Sequence, residues 1–177
     1  MIVYEATKGE FIDSVFLGSI TDEIYDIYQQ KIGKSGKSQI ISWENSMQYM
    51  YRVLEDDEIP DDCGVAIEFT IPTTSKRIDF ILTGLNKFRD DLVVIIELKQ
   101  WSEAQKVDGK DGVVRTVLGG GLRETTHPSY QVWSYASLIK NFNETVEEDE
   151  IGLYPCAYLH NYDFAEDDPL RDEIYKH

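Results

Sequence analysis

Arg77-Ile-Asp79-Phe-Ile-Leu-Thr-Gly84, followed after a short loop by Leu92-Val-Val-Ile-Ile-Glu97-Leu-Lys99-Gln100-Trp101, sets the architecture of this chain. Both runs are apolar and rich in β-branched residues, and Gly, Asn and Asp bound them, so each is expected to be a strand with a buried face. Each also carries charge where a buried strand should not. Side chains alternate along a strand, which puts Glu97 and Lys99 on one face and Ile96 and Leu98 on the other. The same alternation groups Asp79 with Arg77 and Ile81, opposite Ile78 and Phe80. Pairing the two strands brings Asp79 beside Glu97, with Lys99 one step along. Two carboxylates and an ammonium at the buried end of a sheet are costly unless they hold one another or a metal. Two readings stand at this point: a divalent-metal site, or a structural ion pair with Asp79 as a neighbouring charge.

The composition is that of a folded domain, with 42% hydrophobic residues and three Trp in 177 residues. No apolar run approaches the roughly 18 residues of a membrane helix. The N-terminus, Met-Ile-Val-Tyr-Glu, lacks a basic region or signal-type apolar segment, so a cytoplasmic protein is expected. Cys63 and Cys156 are too few for a structural zinc site or an iron–sulfur cluster. The net charge of −16 opposes a polyanionic partner. Its distribution weakens that objection. Residues 144–177 carry a net −9 and residues 55–62 six acids without a base, whereas residues 76–140 hold ten bases against eight acids.

Around the central pair, Ser19 to Ile32 reads as a helix, with Ile20, Ile24, Ile27 and Tyr28 on one stripe and Asp22 and Glu23 in the first turn. Residues 1–18 give no clear pattern. Gly33 to Lys37 contains Gly-Lys-Ser, but Tyr28 stands where a P-loop needs its first glycine, and a helix pattern leads in; it is read as a linker. Ser42 is expected to cap a helix from Trp43 to about Leu54, with Trp43, Met47, Met50 and Leu54 as its stripe. Val65 to Ile71 is expected to be a strand with Val65, Ile67, Phe69 and Ile71 facing one way, joined by a Pro72 turn to the Arg77 strand. Val113 to Leu118 reads as a short strand and Gly119-Gly-Gly121 as a flexible joint. Pro128, suited to a first helical position, opens a helix to about Phe142. Leu153 to His160 is a last strand, and Pro155 points to a sheet edge or an irregular beginning.

The order helix, three strands, crossover helix, strand, with Asp79 and then Glu97-x-Lys99, resembles the restriction-endonuclease-like superfamily, the PD-(D/E)XK nucleases, although Ile78 replaces the family's proline. Gln131 and Tyr135, four residues apart on one helix face, resemble the Gln-x-x-x-Tyr motif of the RecB-type branch, as does His127-Pro128 ahead of them. The resemblance covers about residues 43–160. It implies an α/β fold with an α-β-β-β-α-β core and a mixed four-stranded sheet flanked by helices, in a single nuclease-like domain over 1–177. More narrowly, the chain resembles nuclease-like domains that precede a P-loop helicase-type ATPase in bacterial proteins. That implies an ATPase partner or domain and a chain continuing past His177.

The resemblance also implies Mg²⁺-dependent phosphodiester hydrolysis in nucleic acid, DNA before RNA, with Mn²⁺ able to substitute. Asp79, Glu97 and the Leu98 carbonyl would hold the metal, with Glu68 as a further ligand or a solvated cross-strand charge. Lys99 would act on the attacking water and the phosphate, and Gln131 and Tyr135 would orient Lys99 or the nucleic-acid backbone. Arg115, Arg123, His127 and Trp101 are candidate substrate contacts, each with a plainer reading: solvated bases, a helix-start residue, a packed ring. Glu44 resembles a helix acid of some family members and reads better as a surface residue. The alternative to catalysis is an inactive nuclease-like fold that docks nucleic acid or protein.

Overall fold

The computed structural model describes residues 1–175 as a mixed α/β fold in which helices flank a mixed β-sheet. In chain order the main elements are β1 (Tyr4–Thr7), α1 (Lys8–Phe16), α2 (Ile20–Lys31), α3 (Lys37–Leu54), β2 (Gly64–Thr70), β3 (Arg77–Leu85) and β4 (Asp91–Lys99). Then follow β5 (Gln105–Lys106), β6 (Val113–Leu118), β7 (Gly121–Thr126), α4 (Pro128–Phe142), α5 (Glu144–Glu148) and β8 (Gly152–Leu159). The main sheet has the order β1-β2-β3-β4-β8, antiparallel through β4, with β8 parallel to β4. A parallel neighbour needs a crossover, and α4 supplies it. β8 is an edge strand, where Pro155 is tolerated. Among the described residues no helix is long and apolar enough to cross a membrane.

Two cores flank the sheet. Phe11, Ile24, Trp43, Met47, Met50 and Leu54 from α1–α3 pack on Val65, Ile67, Phe80 and Ile96. On the other face, Val132, Tyr135 and Ala136 of α4 pack on Ala66, Ile78, Ile81 and Ile95. Glu97 reaches the α4 side, where Gln131 bonds it, while Leu98 stays with Ile96.

Several expectations are corrected. The sheet has five strands, because Tyr4–Thr7 adds a strand beside β2, and Thr7 then caps α1 through a capping box with Glu10. α3 starts at Lys37, six residues before Trp43, because no Pro or Gly follows Gly36; Ser42 lies inside the helix and caps nothing. Gly119 and Gly120, at φ +60° and +80°, form a tight two-residue hairpin turn between β6 and β7, where positive φ at both central residues suits glycine. β7 is a further strand beyond that turn, and with β5 and β6 it makes a second, three-stranded sheet.

The most consequential correction concerns the alternation of faces. Val65 and Ile67 enter the α1–α3 core, but Phe69 and Ile71 enter the α4 core. Across the sheet, Phe80 points to the α1–α3 core and Ile78 to the α4 core. The phase inverts on both strands at one level, Glu68 on β2 and Asp79 on β3, which lie between the register pairs Ile67↔Phe80 and Phe69↔Ile78. Glu68 has φ +56°. A left-handed residue inside a strand reverses the side chains that follow it, and for a non-glycine residue it costs about 1–3 kcal/mol.

Candidate active site

The β3–β4 ladder ends at the pair Phe80↔Ile96. One step further, where Asp79 and Glu97 would pair, the strands diverge, and the Asp79 side chain takes over: its Oδ2 accepts the Leu98 backbone N–H at 2.8 Å. The Asp79 carboxylate lies close enough to Glu97 for its charge to act on that carboxyl. Glu97 is 3% exposed. Its Oε1 accepts from Lys99 Nζ at 2.6 Å and from Gln131 Nε2 at 2.6 Å, while its Oε2 is buried without a hydrogen-bond partner. Gln131 is held in turn by Tyr135, whose hydroxyl accepts from the same Nε2 at 2.9 Å.

The electrostatics follow from burial. Burial first, then the neighbouring Asp79 charge, pushes the Glu97 carboxyl up to about 7, against the lowering effect of Lys99 and Gln131. Asp79 is raised too, chiefly by burial, with the Leu98 N–H, Lys99 and Arg77 opposing. Two neighbouring buried carboxyls cannot both ionise cheaply.

Glu68 stands on the other side of Asp79, 5% exposed. Trp43 Nε1 donates to its Oε1 at 2.6 Å, and Arg77 Nε forms an ion pair with its Oε2, a contact without the alignment of a hydrogen bond. Arg77 also donates to the Tyr28 hydroxyl at 3.1 Å and lies over that ring.

Two clefts open onto these carboxylates. One, of about 360 Å³, runs along α3 past Ser38, Gln39, Ser42 and Ser46; the other opens toward α4 and the Thr70–Arg77 turn. Arg77, Asp79 and Glu97 line both.

Of the residues singled out in the sequence, Asp79, Glu97, Leu98, Lys99, Gln131 and Tyr135 come together at this junction, and Glu68 borders it. Of the two expected partners of Gln131, Lys99 or the nucleic-acid backbone, the first is not the one it bonds: Gln131 donates to Glu97 Oε1, which also holds Lys99. His127 does not reach the clefts: its Nδ1 accepts from Ser129 N as the α4 cap, its Nε2 pairs with the Leu170 carbonyl, and Tyr175 covers its ring. Trp101 is buried with Ala104, Val114 and Leu159, so no ring face is free for a base; the Lys99 ammonium lies 5.7 Å from its centroid. Arg115 pairs with Glu124 on the β6–β7 hairpin, and Arg123 is exposed on the same hairpin. Glu44 is exposed on α3. Sequence reading missed Trp43 and Arg77 as parts of the site. The available signal was Arg77, two residues before Asp79 on the same strand.

Among the described residues no group of three or more His, Cys, Asp or Glu side chains could share a metal ion. The donors present still suit a magnesium-like cation, which takes one or two carboxylates and keeps several waters. Glu97 Oε2, buried and unpartnered beside Asp79, is the atom such a cation would satisfy. Comparison of the chain with family models, curated proteins and solved structures finds no match.

Proposed function

We propose that this chain is a Mg²⁺-dependent nuclease that hydrolyses phosphodiester bonds, with DNA as its substrate class, on a restriction-endonuclease-like core. The observation that carries the reading is the buried Glu97 carboxylate, with an unused oxygen, on which Lys99 and Gln131 converge, with Tyr135 behind Gln131 and Asp79 held on the Leu98 N–H beside it. The connectivity α3-β2-β3-β4-α4-β8, with β8 parallel to β4, supports the core assignment.

Asp79, Glu97 and the Leu98 carbonyl would hold Mg²⁺, with Mn²⁺ able to replace it. When bound, the metal supplies Lewis acidity, withdrawing charge from a phosphate oxygen and making water a better nucleophile at neutral pH. Glu97 is kept in one rotamer by two donors on Oε1, so its other oxygen is presented without search. The Tyr135 hydroxyl accepts from the Gln131 amide and so helps to hold it toward Glu97. Lys99, with its side chain 18% exposed, keeps an ammonium at the cleft where negative charge grows on the phosphate. Lys76 and Arg77 put further positive charge along the α4-side cleft. A P-loop ATPase partner or domain would deliver the strand.

One observation favours a second reading, a non-catalytic docking module: two carboxylates stand where many metal enzymes use three ligands. The deciding test is incubation of plasmid and single-stranded DNA with wild-type and Glu97→Ala protein in Mg²⁺ or Mn²⁺. Metal-dependent cleavage by the wild type alone supports the nuclease. DNA binding without cleavage, and no Mn²⁺ bound, supports the module.

A further inference from the structure

Glu68 is a buried acid that the proposed chemistry leaves without a role. It is also the strained residue of the sheet: the other non-glycine residues with positive φ, Thr73, Arg89 and Glu150, lie outside the strands. Glutamate does not favour this backbone, so the surroundings must hold it there. Trp43 and Arg77 engage its two oxygens from α3 and from the next strand, and Tyr28 of α2 holds Arg77. Directly across β2–β3 from this point the phase of β3 inverts at Asp79, and there the Asp79 carboxyl leaves the strand to accept the Leu98 N–H.

We propose that Glu68 is a positioning residue for Asp79. Trp43 and Arg77 clamp its side chain, the clamp keeps the backbone left-handed, and the reversal that results turns the Asp79 carboxyl onto the Leu98 amide beside Glu97. In this role Glu68 acts through Asp79 and not as a metal ligand: its Oε1 takes the Trp43 N–H and its Oε2 faces the Arg77 guanidinium. Only the consequence for metal affinity rests on the nuclease reading; the placement of Asp79 does not.

The readout that needs no metal is amide hydrogen exchange at Leu98, with Ile96 on the same strand as internal reference. Glu68→Ala removes the carboxylate, Glu68→Gln removes its charge and the ion pair, and Trp43→Phe removes only the indole donor. Each should speed Leu98 exchange by at least about tenfold while Ile96 stays protected, because only a local bond opens. Glu68→Gln and Trp43→Phe keep the test alive if Glu68→Ala does not fold. Unchanged Leu98 exchange, or Leu98 and Ile96 speeding up together, would overturn the proposal. Mn²⁺ titration followed by electron paramagnetic resonance completes it. Wild type and Glu68→Gln should bind the same number of ions, the variant about 10- to 100-fold more weakly, as when a group supporting a ligand is lost. An ion lost from the stoichiometry in Glu68→Gln would make Glu68 a ligand and overturn the proposal. Wild type that binds no Mn²⁺ would reject the nuclease reading, and the Leu98 exchange would still decide the role of Glu68.

Discussion

Lys99 Nζ lies 2.6 Å from Glu97 Oε1, two residues back on the same face of the same strand. The pair is partly desolvated, with side-chain exposures of 18% and 4%. Such a contact has two uses: it offsets the charge of a buried carboxylate, and it parks an ammonium beside a reaction centre.

Lys99→Met separates them. If Lys99 serves chemistry, cleavage should fall roughly 100-fold or more, the scale for losing one charge-stabilising donor. Mn²⁺ should still bind with unchanged stoichiometry, measured by calorimetry. A melting temperature that collapses in step with activity would instead make the pair structural.

The protonation of Glu97 gives a prediction with a definite sign. Its folded-state value, about 7, lies above the ordinary carboxylate value of 4.5. Between those values the folded state therefore holds a proton that the unfolded chain has released, and stability falls as pH rises through this window. Thermal melts from pH 5 to pH 8 should show that decline. Glu97→Gln should flatten it, and this comparison separates the site from the general repulsion of a −16 chain. Mg²⁺ added at pH 8 should restore stability to the wild type and not to the variant.

The strands β3 and β4, the helix α4 and the spacing of Asp79, Glu97 and Lys99 were legible because each rests on a local period: two for strands, four for the Gln131–Tyr135 face. What failed was the phase. Strict alternation does not hold through Glu68 and Asp79, and glutamate gives no hint of the left-handed conformation that Glu68 adopts. Trp43 illustrates the same limit. Its place in an apolar stripe follows from the helical spacing, but its N–H bond to Glu68 depends on how α3 lies across the sheet. The Thr7–Glu10 capping box, by contrast, was there to be read.

His127 is placed as a cap and a tie between α4 and Leu170, with burial lowering its basicity. His127→Ala should cost about 1–2 kcal/mol in denaturant unfolding, the usual range for a lost cap. Cleavage by the folded fraction should match wild type. A specific loss of activity at full stability would return His127 to the substrate contacts.

The sharpest test falls on the relay from Tyr135 through Gln131 to Glu97. Tyr135 is 6% exposed and packs in the α4 core, so most of its ring serves packing, and Tyr135→Phe keeps that. The hydroxyl accepts from Gln131 Nε2, the same nitrogen that donates to Glu97 Oε1. Its removal should cost about 1 kcal/mol or less in stability. If Glu97 must hold one rotamer for catalysis, kcat/KM should drop by the equivalent of about 1–2 kcal/mol. Gln131→Ala strips one donor from Glu97 directly and should cost at least as much. The double variant should be no worse than Gln131→Ala alone, because Tyr135 acts only through the residue that is gone. All rates must be compared at one salt concentration, since phosphate binding varies steeply with it. Additive losses would give Tyr135 its own contact with substrate. Wild-type rates in both single variants would remove the relay from the mechanism and leave Lys99 and the two carboxylates to carry it.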